Sequence, residues 1–250
     1  MDISTVVSGP AQWTILVLCA IIIGMSKTGI QGITTLAIPI LALAFGGKPS
    51  TGIILPMLCL ADFMAVAYYR RDAQWKYILR LLPSAIAGFF VALAVDKLIP
   101  AEEFKRLMAL CILAGIGVMF WTQRVGKENT ISSAWWYGPM FGLLGGFTTM
   151  IGNAAGPIMS VYLLSMNLPK NSFVGTSAWF FLIVNLLKVP LQIFAWNNIS
   201  WTTFAIDVML LPALALGAGL GIWLVKRLPE SKYRTLIIWL TILSTLMLLW

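Results

Sequence analysis

The fold is indicated first by the stretch Gly24-Met-Ser-Lys-Thr-Gly-Ile-Gln-Gly32, which places a lysine, hydroxyls, an amide and three glycines inside an apolar run. That run extends from about Trp13 to Phe45, long enough to cross a bilayer twice, so the polar residues are expected at membrane depth. The second half of the chain contains a similar interruption, Gly145-Gly-Phe-Thr-Thr-Met-Ile-Gly-Asn-Ala-Ala-Gly156. Two polar breaks in corresponding positions of two halves are typical of a transporter binding site.

Composition supports a membrane protein. Of the 250 residues, 60% are hydrophobic and 10% are charged, and the mean hydropathy is +0.90. A soluble domain has about a quarter of its residues charged. The net charge of +8 does not indicate nucleic-acid binding, because the basic residues lie in short loops between apolar runs, where they fix membrane topology.

The cysteines give no sign of a disulfide or a metal site. Cys19, Cys59 and Cys111 all lie in apolar segments without a CxxC spacing, and the chain has no histidine. We therefore expect no metal and no other cofactor. The N-terminal residues lack the basic region of a cleavable signal, so the first apolar segment is expected to be retained.

Apolar runs between Gly, Pro and charge clusters predict an all-α polytopic membrane protein. The predicted helical segments cover approximately residues 12–26, 30–46, 51–69, 78–96, 104–121, 135–150, 155–168, 174–195, 204–225 and 233–250. Segments one, two, six and seven are short for a span of about 30 Å at about 1.5 Å per residue. They are expected to form half-helices or re-entrant hairpins.

The segments divide into two repeats of about five, residues 1–125 and 126–250, within one membrane domain. The matching positions are Gly29 with Gly152, Gly52 with Gly175, Asp62 with Asn185, Leu81-Leu82-Pro83 with Leu210-Leu211-Pro212, Gly88 with Gly217, Lys97 with Lys226, Pro100 with Pro229, and Phe104 with Tyr233. An odd number of crossings in each half requires the second half to be inverted relative to the first. The distribution of loop charge places both termini on the non-cytoplasmic side of a bacterial inner membrane.

The two breaks are expected to come together as one site for a small anion. Each break starts a half-helix whose N-terminus carries free N–H groups and a positive dipole end, and Lys27 adds a full charge. The residues expected to bind the substrate are Ser26, Lys27, Thr28, Gly29, Gln31 and Gly32 at the first break, Thr148, Thr149, Gly152 and Asn153 at the second, and Ser177, Trp179 and Lys188 on segment eight. In the alternative interpretation the glycines only allow close helix packing, Lys27 extends to the interface, and Trp179 is a packing residue.

Two charges lie deep within apolar spans, Asp62 in segment three and Lys188 in segment eight. Ionisable residues inside a membrane are functional candidates by default. Asp62, Asn185 and Lys188 form a candidate ion-pair group, which serves either coupling or the structural task of holding two helices in register. Asp207 lies early in segment nine, and we assign it no role.

Three motifs carry a family resemblance, Gly29-Ile-Gln-Gly32, Gly152-Asn-Ala-Ala-Gly156 and the run from Gly175-Thr-Ser177 to Asn185-Leu-Leu-Lys188. In their order, spacing and duplication the chain resembles the TauE/SafE sulfite exporter family of small bacterial membrane proteins. The resemblance covers nearly the whole chain. It implies transport of small sulfur-containing anions such as sulfite or organosulfonates, and it does not identify the substrate.

The resulting hypothesis is a secondary transporter that exports a small sulfur-containing anion by alternating access. The partners expected are this anion and the lipid bilayer, without nucleic acid, and the oligomeric state is left open. The alternatives are an anion channel and a proton-coupled or cation-coupled carrier that uses Asp62. We expect no enzyme activity, because the chain lacks histidine and has one clearly buried carboxylate, too few groups for acid–base or nucleophilic chemistry.

Overall fold

The computed structural model describes residues 6–95 and 134–247, and within them the regular structure is α-helical. The helices are α1 (Pro10–Thr28), α2 (Thr34–Phe45), α3 (Gly47–Tyr69), α4 (Trp75–Val95), α5 (Tyr137–Gly152), α6 (Gly156–Ser165), α7 (Lys170–Phe194), α8 (Trp201–Met209), α9 (Leu211–Arg227) and α10 (Glu230–Met247). The all-α prediction is confirmed. Predicted segment five, at 104–121, lies outside the described residues.

Several of the described helices are long and apolar enough to cross a membrane. They are Pro10–Thr28, Pro49–Tyr69, Trp75–Val95 and Lys170–Phe194, and the bent pair α8 and α9 makes a fifth if it is one span. By contrast, α2 has 12 residues and α6 has 10, so neither can span 30 Å of hydrocarbon at about 1.5 Å per residue. Segments two and seven are therefore short, as predicted.

The first segment is longer than its sequence pattern predicts. With 19 residues α1 reaches the length of a full span, because it continues through the polar residues Ser26 and Lys27 to Thr28. The Thr28 hydroxyl donates to the Gly24 carbonyl at 3.0 Å, so this polar side chain is satisfied inside the helix. The helix ends at Thr28, two residues later than predicted, with Gly29 as its C-cap.

The prediction of one continuous helix over 204–225 is wrong. The chain forms α8 and α9, which meet at Leu210 with a bend of 52°. Pro212 explains the break, because it has no N–H to donate to the Val208 carbonyl and α8 cannot continue through it. The aligned Pro83 lies inside the continuous helix α4, so the two repeats differ at this position.

The most extensive helix contacts join the first half of the chain to the second. They pair α4 with α5, α1 with α9, and α3 with α7. An exchange of the two predicted halves would convert the α1–α9 pair into the α4–α5 pair and leave the α3–α7 pair in place. This pattern agrees with the two-repeat organisation, which stays a prediction.

Glycine allows α1 and α9 to approach closely. A Cβ atom added to Gly217 of α9 would lie 2.8 Å from the carbonyl carbon of Ile21 on α1. A Cβ atom added to Gly219, two residues further along the same helix, would meet nothing within 4 Å. Backbone contact at Gly217 is therefore one of the contacts that set the α1–α9 separation, together with those of Gly24 and Gly221.

We expect Gly217→Ala to destabilise the folded protein by about 1–3 kcal/mol, because the methyl group forces α1 and α9 apart. Gly219→Ala is the matched control, since the same change in open space leaves stability unchanged or raises it by up to about 1 kcal/mol through helix propensity. Thermal unfolding of both purified variants in detergent measures the difference. Equal midpoints for the two variants would contradict backbone contact at Gly217.

Candidate functional site

The two polar breaks lie side by side. The first separates α1 from α2 between Thr28 and Thr34, and the second separates α5 from α6 between Gly152 and Gly156. A Cβ atom added to Gly156 would lie 3.7 Å from the Cα of Gly32, so the two breaks are close to van der Waals contact with each other. The junction joins the first half of the sequence to the second.

Local backbone conformation explains why the helices break here. Gly32 has a φ of 97°, which side-chain-bearing residues rarely adopt, and it redirects the chain before α2. Asn153 caps α5 in the left-handed conformation with a φ of 53°, which asparagine tolerates better than most residues. Pro157 then occupies the first turn of α6, where its missing N–H causes no loss.

The end of α1 also supports the start of α2. The backbone N–H of Thr34 donates to the Ser26 hydroxyl at 3.2 Å, so a side chain of α1 satisfies an orphan donor at the start of α2. The two halves of the hairpin are therefore held together by a hydrogen bond as well as by the chain.

A small cavity of about 20 Å³ lies at this junction, which is room for about one water molecule. Its walls come from six helices and the two breaks. The lining residues are Ser26, Lys27, Gln31, Gly32, Thr34, Leu58, Thr149, Asn153, Gly156, Ser177, Ala178, Phe181 and Asn185. Hydroxyl, amide and ammonium groups thus converge on one small space.

Lys27 forms an ion pair at one wall of the cavity. Its Nζ lies 2.9 Å from Oδ1 of Asp62 and 4.1 Å from the centre of the Phe181 ring. Oδ2 of Asp62 accepts a hydrogen bond from Nδ2 of Asn185 at 2.7 Å. Asp62 is fully buried, and both of its oxygens face a donor or a cation.

Lys188 lies behind the opposite wall and is fully buried. Its Nζ donates to Oδ1 of Asn153 at 2.5 Å and to Oγ1 of Thr149 at 3.0 Å, and Oδ1 of Asn185 lies 3.4 Å away. An ammonium group has no acceptor, so the amide oxygen of Asn153 must face it. The Nδ2 group of Asn153 is left to donate elsewhere, and Asn153 itself lines the cavity.

Asn185 connects the two lysine groups. It donates to Asp62 through Nδ2 and accepts from Lys188 through Oδ1, which agrees with the only orientation its amide can take between a carboxylate and an ammonium. A direct pair between Asp62 and Lys188, one of the sequence-based possibilities, is not formed, because Lys27 occupies the carboxylate and Asn185 lies between the two. With both lysines protonated and Asp62 ionised, this cluster carries one excess positive charge.

The structure brings together most of the sequence-predicted site residues. Ser26, Lys27, Gln31, Gly32, Thr149, Asn153 and Ser177 line the cavity, Gly152 is the last residue of α5 beside Asn153, and Lys188 lies in the layer behind. These residues come from three helices and the two breaks, and their convergence depends on contact between the halves.

The other predicted residues contact different parts of the fold. Thr28 donates to the Ala218 carbonyl of α9, and Gly29 packs on Gly221 of that helix. Thr148 donates within α5 to the Leu144 carbonyl, and the Trp179 ring packs against Trp75 with centroids 5.1 Å apart. These four residues do not line the cavity.

Sequence reasoning missed Thr34, Leu58, Gly156, Ala178 and Phe181, which also line the cavity. A signal for Phe181 was present, because Ser177, Phe181 and Asn185 follow one another at intervals of four and share a helix face. Leu58 similarly precedes Asp62 by four positions on α3. Leu58 and Phe181 are apolar, and composition therefore gave no reason to select them.

The described part of the chain offers no cluster of metal-ligating side chains. Among residues 6–95 and 134–247, no group of three or more Cys, Asp or Glu side chains is arranged to hold a metal ion. The cavity lining offers hydroxyl and amide groups, which can donate and accept hydrogen bonds, and the Lys27 ammonium group.

The fold and this interior site define a multi-pass membrane protein with broken helices. The family model of the sulfite exporter TauE/SafE matches residues 16–248, nearly the whole chain. The chain therefore belongs to the TauE/SafE sulfite exporter family. No curated protein and no solved structure gives a significant match.

We expect Asp62→Leu to destabilise the protein by about 3–5 kcal/mol, because it leaves the buried Lys27 ammonium without its counter-charge. The double variant Lys27→Met with Asp62→Leu should recover most of this loss, since no unpaired charge remains. Both variants remove the same acceptor from Asn185, so that contribution is common to the two. Unfolding midpoints of Asp62→Leu, of Lys27→Met and of the double variant, measured in detergent, show whether the two substitutions have additive effects on stability. Strictly additive losses would contradict the ion pair.

Proposed function

We propose that the protein is a secondary transporter that exports a small sulfur-containing anion, such as sulfite or an organosulfonate, by alternating access around the central cavity. Membership of an exporter family for sulfur anions supports the class of substrate. The observation that carries the proposal is the cavity at the junction of the two breaks, where hydrogen-bond donors surround a space beside an excess positive charge.

The cavity donors suit the shape and charge of a sulfur oxyanion. Such an anion presents several oxygens in different directions, and charge-assisted hydrogen bonds to them are roughly twice as strong as neutral ones. Ser26, Gln31, Thr149, Asn153 and Ser177 supply hydroxyl and amide donors, and Lys27 supplies a cation. The N-termini of α2 and α6 each add the positive end of a helix dipole.

Lys188 acts as a positioning residue. It holds the Asn153 amide oxygen at 2.5 Å and so fixes the direction of the Asn153 NH₂ group. Its own charge adds to the positive potential of the cavity without direct contact, because Asn153 and Thr149 lie between. Substrate affinity therefore depends on a residue that the cavity does not expose.

The size of the cavity supports a carrier that changes conformation. A space of about 20 Å³ holds one water molecule, and a sulfur oxyanion is several times larger. Binding requires the walls to separate, and the two halves 1–125 and 126–250, as inverted repeats, provide two bodies that can rock around the site. We place both termini on the non-cytoplasmic side of a bacterial inner membrane.

Export is favourable under the membrane potential. An anion leaving a cell with a negative interior gains about 2.3 kcal/mol per charge per 100 mV, so a divalent anion gains roughly 4.6 kcal/mol. The anion cargo is moved unchanged, and we assign the protein no enzyme activity.

An anion channel and a carrier coupled through Asp62 are the competing functions. A channel conducts without saturable exchange, so counterflow of labelled anion in proteoliposomes distinguishes it from a carrier. Coupling through Asp62 is disfavoured, because Lys27 and Asn185 already occupy both of its oxygens. A cation substrate is disfavoured by the excess positive charge.

We expect Lys188→Gln to weaken binding of sulfite and of ethanesulfonate by about tenfold or more, which is about 1.4 kcal/mol. The neutral side chain removes the excess charge and no longer fixes the Asn153 amide. Lys232→Gln, an exposed residue of α10, is the matched control and should bind as the parent does. Ligand-induced thermal stabilisation of the purified proteins measures the affinities, since a ligand at a hundred times its Kd adds about 2.7 kcal/mol.

The same titration with acetate and with divalent cations tests the substrate class. Equal affinity of Lys188→Gln and the parent would remove Lys188 from the site. Stabilisation by cations without stabilisation by any sulfur anion would contradict the proposed function.

A further inference from the structure

Helices α3 and α7 pack against each other, and both line the cavity. Leu58 of α3 and Ser177, Ala178, Phe181 and Asn185 of α7 are lining residues. The two helices run in opposite directions, because the start of each lies against the chain that follows the other. Each end of the pair therefore lies between the cavity and one membrane surface.

At one end, Gly52 near the start of α3 packs on the loop that follows α7. A Cβ atom added to Gly52 would lie 2.6 Å from the carbonyl carbon of Asn198. Nδ2 of Asn198 donates to Oγ1 of Thr51 at 3.0 Å and to Oε1 of Gln192 at 3.2 Å. Thr51 and Gln192 are buried, whereas Asn198 is half-buried and follows the exposed Asn197. These contacts, named the Gly52 closure, thus extend from the interior to the surface.

At the other end, Gly175 near the start of α7 packs on the turn that follows α3. A Cβ atom added to Gly175 would lie 2.9 Å from the Tyr69 carbonyl oxygen and 3.2 Å from the Ala73 nitrogen. The backbone N–H of Gln74 donates to Oγ1 of Thr176 at 2.9 Å. Thr176 is buried and Gln74 is exposed, so these contacts, named the Gly175 closure, also extend from the interior to the surface.

The two closures occupy equivalent positions in the predicted repeats, which pair Gly52 with Gly175. Leu58 follows Gly52 by six residues, Phe181 follows Gly175 by six, and both line the cavity. Each glycine packs on the backbone just beyond the end of the partner helix. Alternating access around a central site requires one such closure on each side, of which one opens while the other stays closed.

Each closure adjoins a buried polar group without a partner. Ser177, directly after Thr176, lines the cavity, and Gln192 belongs to the Gly52 closure. Both side chains have an exposed fraction of 0%, and within residues 6–95 and 134–247 neither the Ser177 hydroxyl nor Nε2 of Gln192 has a hydrogen-bond partner. Such groups are rare in proteins and call for a ligand or water that reaches them. Both can donate a hydrogen bond to an anion.

We propose that the two ends of the α3–α7 pair are the gates of the transport path, an inference that rests on the proposed function. The Gly175 closure is the cytoplasmic gate, since the basic residues Arg70, Arg71 and Lys76 flank it, and the Gly52 closure is the gate on the opposite side. The anion enters past the Gly175 closure, binds in the cavity and leaves past the Gly52 closure.

A cysteine placed in the cavity lining reports the side from which the cavity opens. Ala178→Cys provides this reporter, in a protein whose Cys19, Cys59 and Cys111 are replaced by alanine. Right-side-out and inside-out membrane vesicles present opposite surfaces to an impermeant thiol reagent, sulfonatoethyl methanethiosulfonate. The labelling rate in each kind of vesicle measures access from that surface.

We expect Gly52→Ala to raise the labelling rate in right-side-out vesicles by at least about fivefold, because the added methyl group does not fit the closed packing and shifts the population towards the state open at that end. The rate in inside-out vesicles should stay unchanged. Gly175→Ala should have the reverse effect, with faster labelling in inside-out vesicles alone.

Gly219→Ala is the matched control, since a Cβ atom there meets nothing within 4 Å, and it should leave both rates unchanged. A general loosening of the fold would raise access from both sides. Unchanged rates in Gly52→Ala and Gly175→Ala, or a rise from both sides in either variant, would therefore overturn the inference.

A cross-link tests one gate without relying on a glycine substitution. Thr51→Cys with Asn198→Cys, in the same cysteine-free protein, should be joined by a short bifunctional methanethiosulfonate, because these side chains are hydrogen-bonded at 3.0 Å. We expect ethanesulfonate counterflow in proteoliposomes to fall by at least about tenfold after cross-linking, since a locked gate cannot open, and to return after reduction. The cysteine-free parent treated with the same reagent is the control.

Mass spectrometry verifies the cross-link. Failure of the pair to cross-link, or counterflow that persists in the cross-linked protein, would overturn the inference and leave the transporter assignment intact. Absence of ethanesulfonate and sulfite counterflow in the wild-type protein would overturn both.

Discussion

Backbone groups exposed by a broken helix inside a bilayer have no water to satisfy them, and this constraint determines the centre of the molecule. Each break on its own would be unfavourable. The structure brings the two together, with Gly32 against Gly156, and encloses between them a small polar space. The close helix pairs α1 with α9 and α4 with α5 hold the halves in the positions that this contact requires. The polar pocket between the two breaks is thus a consequence of how the breaks are stabilised.

The electrostatics of the pocket follow from a second constraint, the high free energy of a buried charge. Lys27 is neutralised by Asp62, and Lys188 is surrounded by three oxygens that belong to neutral side chains. Such dipoles solvate a charge without cancelling it. With Lys188 protonated, one net positive charge remains inside the membrane, and an entering anion would complete the neutralisation. The same reasoning separates the two buried acids, because Asp62 is ion-paired to Lys27 and neither oxygen of Asp207 has a hydrogen-bond partner.

Much of this arrangement could be read from the sequence, and the failures have identifiable causes. Helix type, the short half-helices and seven of the cavity residues followed from hydropathy and from polar residues at membrane depth. The partner of Asp62 could not be predicted, because Lys27 lies on another helix and only the contact between α1 and α3 brings it near. The break at Leu210 was signalled by Pro212, yet the aligned Pro83 sits in an unbroken helix, so proline alone does not decide the outcome. The burial of Asp207 depends on packing by α3, which no local pattern encodes.

The central claim is that the junction of the two breaks is where the anion binds, and its most direct measurement is a structure determined with a heavier analogue of the substrate. Selenite replaces the sulfur of sulfite with selenium, which an anomalous diffraction experiment locates without reference to the protein density. We expect a selenium peak between Gly32 and Gly156, in contact with Lys27 and the Nδ2 group of Asn153, with the cavity walls further apart than here. A selenium peak elsewhere in the protein, with the cavity at the junction still only large enough for one water molecule, would contradict the claim.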